Sequence, residues 1–414
     1  MRTARHSTAA LLAGALLGDP LPARAQEAVY SQVERGRYAL ITGNCQGCHT
    51  APGEAPFAGG RGLETPFGTI YTPNITFEPE TGLGRWSRDD FWRAMHEGIA
   101  PDGSRLYPAF PYPHFSKMPR DEVDALYDYL ATLPRVKKEK PDNELPWPLS
   151  WRFTLAAWRW LFFEPEPFVP NPQKSEAWNR GAYLVEGPAH CAGCHTEKNF
   201  AGADKPDRHL MGGQLEDWAA PDIRGGRNGG LADWSEDDIV EFLKTGRNVH
   251  TAAFSIMSEV IEFSTQHMVE ADLRAIAVYL KDLEGEERRA PAEPDEAVMQ
   301  AGAAIYFDNC SACHVSDGAG VPRFFAPLAG SGKVNNEDAT TVIRVILEGA
   351  RAVPTHVRPS PLTMPAFGWK LDDEQIAAVA TYVRASWGNR GGAVSASEVA
   401  DLRERLGEGL GPDR

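Results

Sequence analysis

Every cysteine of this chain belongs to one pattern: Cys45 and Cys48 before His49 in NCQGCHT, Cys191 and Cys194 before His195 in HCAGCHT, and Cys310 and Cys313 before His314 in NCSACHV. Two thiols on one turn can add to the two vinyl groups of a haem while the neighbouring imidazole comes up beneath the iron. Cys-x-x-Cys-His therefore points to covalent, c-type haem attachment. Zinc is the competing chemistry, but a tetrahedral site needs a second ligand pair close by, and these pairs stand more than a hundred residues apart. A thioredoxin-like dithiol belongs in a βαβ pattern and needs no following histidine. Three copies predict three covalently bound haem c groups and leave no thiol for a structural disulfide.

The elements that must hold these motifs also recur. Ahead of each motif lies a short helical segment with glycine and tyrosine: RGRYAL with Gly36 and Tyr38, RGAYLV with Gly181 and Tyr183, AGAAIYF with Gly302 and Tyr306. Behind each comes a closing helix, at 121–130, 271–280 and 374–383, with apolar residues at i, i+3, i+4 and i+7 and an acidic start. A middle helix opens at Trp86-Ser87-Arg88-Asp89-Asp90 and again at Trp234-Ser235-Glu236-Asp237-Asp238, where Ser-x-x-Asp reads as a capping box with Asp in the place of Glu. The expected architecture is mainly α, three tandem haem units at 33–136, 177–285 and 296–390. A Trp-rich linker at 137–176 and a polar tail at 391–414, with at most a short helix at 397–406, complete it.

Each unit resembles a class I cytochrome c domain, in which the first and last helices cross and a loop methionine is the sixth iron ligand. The resemblance rests on LYPAFPYPHFSKM (106–118), AWNRGAYLVEGPAHCAGCHT (177–196) and MPAFGWKLDDEQIAAVATYV (364–383). From leader to third unit, the chain is similar to the three-haem cytochrome c subunits of membrane-bound alcohol, gluconate, fructose or aldehyde dehydrogenases. That likeness implies electron transfer from a separate large dehydrogenase subunit, of flavin, quinone-cofactor or molybdenum type, toward the quinone pool or another respiratory carrier.

A thioether opposite histidine raises the iron's potential, which suits an electron carrier. Position on the loop between middle and closing helix selects Met364 in the third unit and Met118 in the first, where His114 is a bis-histidine rival and Met95 reads as core. The second unit offers Met257, His267 and Met268, and the resemblance favours Met257. His96, His190, His209, His250 and His356 have no recurring position and read as surface or hydrogen-bonded histidines.

The N-terminus reads as a secretory leader at 1–25: Arg2 and Arg5, an apolar run at 9–17, then Ala23-Arg24-Ala25 as cleavage site. It directs the chain to the bacterial periplasm, at the outer face of the cytoplasmic membrane. A formal charge of −15 argues against nucleic acid and against anionic lipid as partners. The linker ELPWPLSWRFTLAAWRWLFFEPEPF is the most aromatic stretch, with Trp151, Leu155, Trp158 and Phe162 expected on one helical face. It is too short and too charged to span a bilayer. It suits a membrane interface, a partner's groove, or packing back across the first two units. No G-x-G-x-x-G follows a strand, and GRNGG at 226–230 reads as a haem-side loop. The oxidation chemistry is therefore expected in another subunit. The alternative is an enzyme with one catalytic haem, of peroxidase or thiosulfate-oxidising type, which would need an open sixth position.

Overall fold

The computed structural model describes residues 23–226, 230–286 and 291–407. Most of the expected leader, residues 227–229 of the GRNGG loop and the last seven residues of the tail lie outside these. The first unit runs α1 (Ala23–Thr42), α2 (Cys45–His49), the hairpin β1 (Gly62–Thr65) and β2 (Gly68–Tyr71), α3 (Arg88–Glu97), α4 (Tyr112–Phe115) and α5 (Arg120–Thr132). After α6 (Leu155–Phe162) the order repeats as α7 (Glu176–Glu186), α8 (Ala192–His195), β3 (Gly213–Leu215), β4 (Trp218–Ala220), α9 (Glu236–Thr245), α10 (Ile256–Phe263) and α11 (Glu270–Asp282). The third unit has α12 (Glu296–Asn309), α13 (Ser311–His314), α14 (Thr340–Glu348), β5 (Ala350–Arg351), β6 (Thr363–Met364), α15 (Asp373–Ala385) and α16 (Ala396–Leu406).

Each unit is built on one helix pair: α1 with α5, α7 with α11, α12 with α15. The recurring glycine makes the pair possible. A methyl group at Gly36 would stand 1.9 Å from the Ala125 carbonyl oxygen, at Gly181 1.9 Å from that of Ala275, and at Gly302 2.2 Å from that of Ala378. No side chain fits at those distances, so backbone meets backbone. Around each crossing the closing helix buries its apolar stripe: Val123, Leu126 and Leu130 in the first unit, Leu273, Ile276 and Leu280 in the second, Ile376, Val379 and Val383 in the third. Burying one such side chain fully stabilises by about 1.5–3 kcal/mol. The middle helices start where the sequence placed them. Ser87 and Asp90 close a reciprocal capping box on α3, and Ser235 and Asp238 close the same box on α9.

Three features differ from the sequence reading. The hairpins β1–β2, β3–β4 and β5–β6 are two to four residues per strand, too short to carry a periodic pattern. The segment read as a polar tail contributes α16, whose Val399, Leu402 and Leu406 are buried in the third core beside Ile343 and Ile376. The expected linker face is split. Leu155 is buried and Trp158 donates its indole N–H to the Ala201 carbonyl at 2.8 Å, whereas Trp151 precedes the helix and is exposed.

The units are packed on one another. Ile41 of α1 enters the core of the second unit. Thr341 Oγ1 accepts from Ala219 N at 2.9 Å and donates to Ala219 O at 3.0 Å, pinning the third unit to β4. Arg344 donates to Glu216 O and Asp217 O and lies over the Trp218 ring at 4.2 Å.

Candidate functional site

All three Cys-x-x-Cys-His strings form the same small structure, a single helical turn that follows the first helix of its unit. The turn puts the two thiols of each motif side by side and carries the histidine out at its end. The carbonyl of that histidine is then tied by a later glycine: His49 O accepts from Gly59 N at 2.9 Å, His195 O from Gly212 N at 2.9 Å and His314 O from Gly320 N at 3.0 Å. These glycines all have φ in the left-handed region, at 72°, 101° and 62°, where a side chain is strained.

The imidazoles are oriented alike. Nδ1 lies 2.9 Å from Pro73 O in His49, 2.7 Å from Pro221 O in His195 and 2.9 Å from Ala326 O in His314. A carbonyl only accepts, so Nδ1 carries the proton in each and Nε2 keeps its lone pair. This is the arrangement by which metal-bound histidines are usually held. Burial lowers the pKa of all three rings and keeps them neutral, the form that ligates.

The thiols are not those of a redox dithiol. All six are free, and burial pushes Cys45 and Cys191 up to about 12 and Cys194 and Cys310 up to about 11. A reactive dithiol needs the opposite shift. Nor is there a zinc cage: among the described residues no three His, Cys, Asp or Glu are gathered as one. The motifs thus fit covalent haem and neither rival. The first two sites also adjoin, since Arg61 donates to Gly47 O within the first motif at 2.6 Å and pairs with Glu259 of α10, two residues after Met257, at 2.5 Å.

The sixth-position candidates fall in two registers. Met118 and Met268 each stand one residue before the N-cap of the closing helix, and both are buried, at 2% and 0% exposure. Leu371 holds that place in the third unit. Met257 lies instead at the start of α10, half-buried against Ala253, Ile261 and Val353, and Met364 pairs with Ala350 in β6. Arg105 and Ala252 close matching bridges with Ile99 and Arg247, so the residue five further on, Phe110 or Met257, is equivalent. Met118 and Met257 therefore do not occupy corresponding positions. Beside Met257, the Ser258 hydroxyl is buried with no protein partner among the described residues. An orphan of that kind fits a group that the protein atoms do not supply.

The rival histidines are engaged elsewhere. His114 Nε2 faces Asp204 at 3.3 Å in the second unit, and His267 Nε2 donates to Glu262 O at 2.9 Å. His209 pairs with Glu186, His250 stacks on Trp234, and His96 stacks on Trp92. His190 donates to Pro188 O, and burial pushes it down to about 4. Sequence reasoning missed Pro73, Pro221 and Ala326, whose carbonyls aim the rings, and the three glycines. Their signal was a Gly downstream of each motif and, in the first two units, a Pro, at spacings that differ between units.

The chain spans most of the length of several known proteins. It is 40% identical over 397 residues to the gluconate 2-dehydrogenase cytochrome c subunit of Pantoea cypripedii, covering 90% of this chain and 89% of the relative. It is 40% identical over 403 residues to the cytochrome c subunit of the quinone alcohol dehydrogenase of Gluconobacter oxydans, covering 92% and 84%. Against the fructose dehydrogenase cytochrome subunit of Gluconobacter japonicus it is 35% identical over 434 residues, covering 96% and 88%. The cytochrome c family model matches residues 33–134 and 299–387, which bracket the middle unit.

Proposed function

Because this chain belongs to the cytochrome c family, among the cytochrome c subunits of gluconate, alcohol and fructose dehydrogenases, we propose that it is a three-haem relay. It takes electrons one at a time from a separate periplasmic dehydrogenase subunit acting on an alcohol, aldehyde or sugar acid. It passes them to the quinone pool or another respiratory carrier. Each bound haem supplies an iron that changes oxidation state by one electron.

The observation that carries this reading is the threefold identity of the attachment turns, the middle one included. Cys45 and Cys48, Cys191 and Cys194, and Cys310 and Cys313 would attach the three groups. His49, His195 and His314, each aimed by its carbonyl, would bind the irons through Nε2. Met118, Met257 and Met364 would supply the remaining protein ligands. The neutral imidazoles serve holding rather than proton transfer. The packing of the second unit against both others suits a relay, because it fixes the sites relative to one another. The expected leader suits a subunit that works at the outer face of the cytoplasmic membrane; among the described residues no helix is long and apolar enough to cross a membrane.

The test is the haem count of the mature chain by intact mass under denaturing conditions, repeated on a Cys191→Ser/Cys194→Ser variant. The expected counts are three and two. Two haems in both would remove the middle site and with it the relay.

A further inference from the structure

The attachment turns of the first two units are each gripped by a cation whose acidic partner leads into the other unit. Arg61 donates Nη1 to the Gly47 carbonyl, between Cys45 and Cys48, at 2.6 Å. The same guanidinium forks onto Glu259 of α10, through Nη1 at 2.5 Å and Nη2 at 3.1 Å. Glu259 stands two residues after Met257. The second bridge runs the opposite way. Lys198 Nζ donates to the Ala192 carbonyl, between Cys191 and Cys194, at 3.0 Å and pairs with Asp204 Oδ1. The other oxygen of Asp204 meets His114 Nε2 of α4 at 3.3 Å, and His114 stands four residues before Met118. One bridge thus joins the first attachment turn to the Met257 segment, and the other joins the second attachment turn to the Met118 segment.

The two cations are not one repeated residue. Arg61 directly precedes β1, twelve residues after His49, whereas Lys198 follows His195 by three and lies in a loop closed by its bridge to Asp204. Different places in the two loops arrive at one arrangement, so it is not a by-product of the repeat. Exposed ion pairs hold little by themselves, but the Arg61 side chain is only 19% exposed, and a forked guanidinium fixes orientation as well as distance. The entry of Ile41 into the second core already holds the units together. What the cations add is a fix on the attachment turns themselves.

We propose that Arg61 and Lys198 are positioning residues for electron exchange between the first two haems. Each ties the turn that carries one haem to the segment that carries the proposed sixth ligand of the other, and so holds the gap between the two at one value. The step moves one electron from a ferrous to a ferric iron: the donor is oxidised as the acceptor is reduced, and no bond or proton is exchanged. Tunnelling falls exponentially with the gap, so a turn that is free to shift loses rate even when its haem stays attached. The hydrogen bonds also make a continuous path, from the Gly47 carbonyl through guanidinium and carboxylate into α10, in place of a jump through open space.

The proposal rests on the three-haem reading and deepens it, but its test needs neither the partner subunit nor its substrate. In the full-length holoprotein a photoreduced flavin delivers less than one electron per chain. Samples frozen at set times then show, by their ferric spin-resonance signals, how that electron spreads between the first two haems. In Arg61→Gln/Lys198→Gln the spread should slow at least about tenfold, with all three haems still covalently bound. Each single variant should slow it less, and these two carry the test if the double variant does not fold. Arg61→Lys keeps the charge but cannot fork onto Glu259 while holding Gly47 O, so it should be slowed nearly as much as Arg61→Gln. A cation that only tuned the haem by its charge would leave Arg61→Lys at the parent rate and would show instead as shifted midpoint potentials in Arg61→Gln. A parent rate in the double variant, in both singles, or in Arg61→Lys overturns the proposal. Failure of the relay reading has a different signature: normal exchange between these haems, but no reduction by any substrate in the purified complex.

Discussion

The Tyr38 hydroxyl donates to Asp272 Oδ2 at 2.7 Å, from the first unit to the second, and Tyr183 of the second donates to Glu122 Oε2 of the first at 2.5 Å. The two bonds correspond: each tyrosine stands two residues after its crossing-point glycine, and each carboxylate four residues after the buried methionine that precedes its closing helix. The first two units therefore meet through one patch used twice, as in an isologous dimer. Replacing either tyrosine by Phe leaves a carboxylate short of a donor and should cost about 1.5–3 kcal/mol. Guanidinium unfolding of the holoprotein checks this, and the double variant should lose less than the two single losses added. Unchanged midpoints would show that the units do not meet this way.

The same interface predicts an acid limit. Burial pushes the Asp272 carboxyl up, but hydrogen bonds from Arg180 and Tyr38 outweigh it and hold the pKa below the usual value. A depressed carboxylate adds stability that is complete above its unfolded pKa of about 3.9 and fades as pH falls through the lower folded value. Stability should therefore drop below about pH 4, and Asp272→Asn should be less stable at neutral pH with a shallower acid limb. Thermal melts across that range decide it.

Lys333 should act at the other end of the pH scale. Its ammonium lies 4.1 Å from the Phe254 ring centre and donates to Ala252 O at 2.7 Å, and burial pushes it down to about 7. Between there and its unfolded value of about 10.4 the unfolded chain binds the extra proton, so stability should rise with pH across that window. Lys333→Met should flatten the rise. A slope that survives the substitution would assign it to other groups.

The methionine assignments separate by potential and by stability. Met118→Ala, Met257→Ala and Met364→Ala should each lower one haem's midpoint potential in a spectroelectrochemical titration while all haem stays covalently bound. Met268→Ala should leave the potentials alone and cost about 2–5 kcal/mol as a buried core truncation. The opposite result for Met257 and Met268 would move the ligand of the second unit to the register shared by Met118 and Met268.

Gly181→Ala tests the helix crossing. With the Ala275 carbonyl 1.9 Å from the added carbon, α7 and α11 must separate, and overpacking of this kind costs about 1–3 kcal/mol or more. A melting point equal to that of the parent protein would mean that the helices do not touch there.

Much of this was legible because local chemistry and fold agree. The attachment motifs, the closing helices and the two Ser-x-x-Asp boxes need only neighbours a few residues away, and a periodic or fixed spacing reveals them. What was not legible is set at long range. Tyr38 and Asp272 are separated by 234 residues, and nothing near either one announces the other. The Pro73, Pro221 and Ala326 carbonyls aim the three imidazoles from loops whose lengths differ. The tail was read as polar by composition, though Val399, Leu402 and Leu406 form a helical stripe that the third core needs. Trp151 was placed on one helical face with Leu155, Trp158 and Phe162, but α6 begins only after it, and which rings stay exposed is set by what Tyr112 and Ala201 cover.

The central claim is that three haems on this chain are filled by electrons from a partner. The most direct measurement is an anaerobic titration of the complex, purified in mild detergent, with alcohols, aldehydes and sugar acids while the reduced haem band is followed. The relay predicts that one substrate class reduces all three haems of each chain, and only when a larger subunit has co-purified. Reduction by such a donor with this chain alone, or a plateau at fewer than three haems, would contradict it.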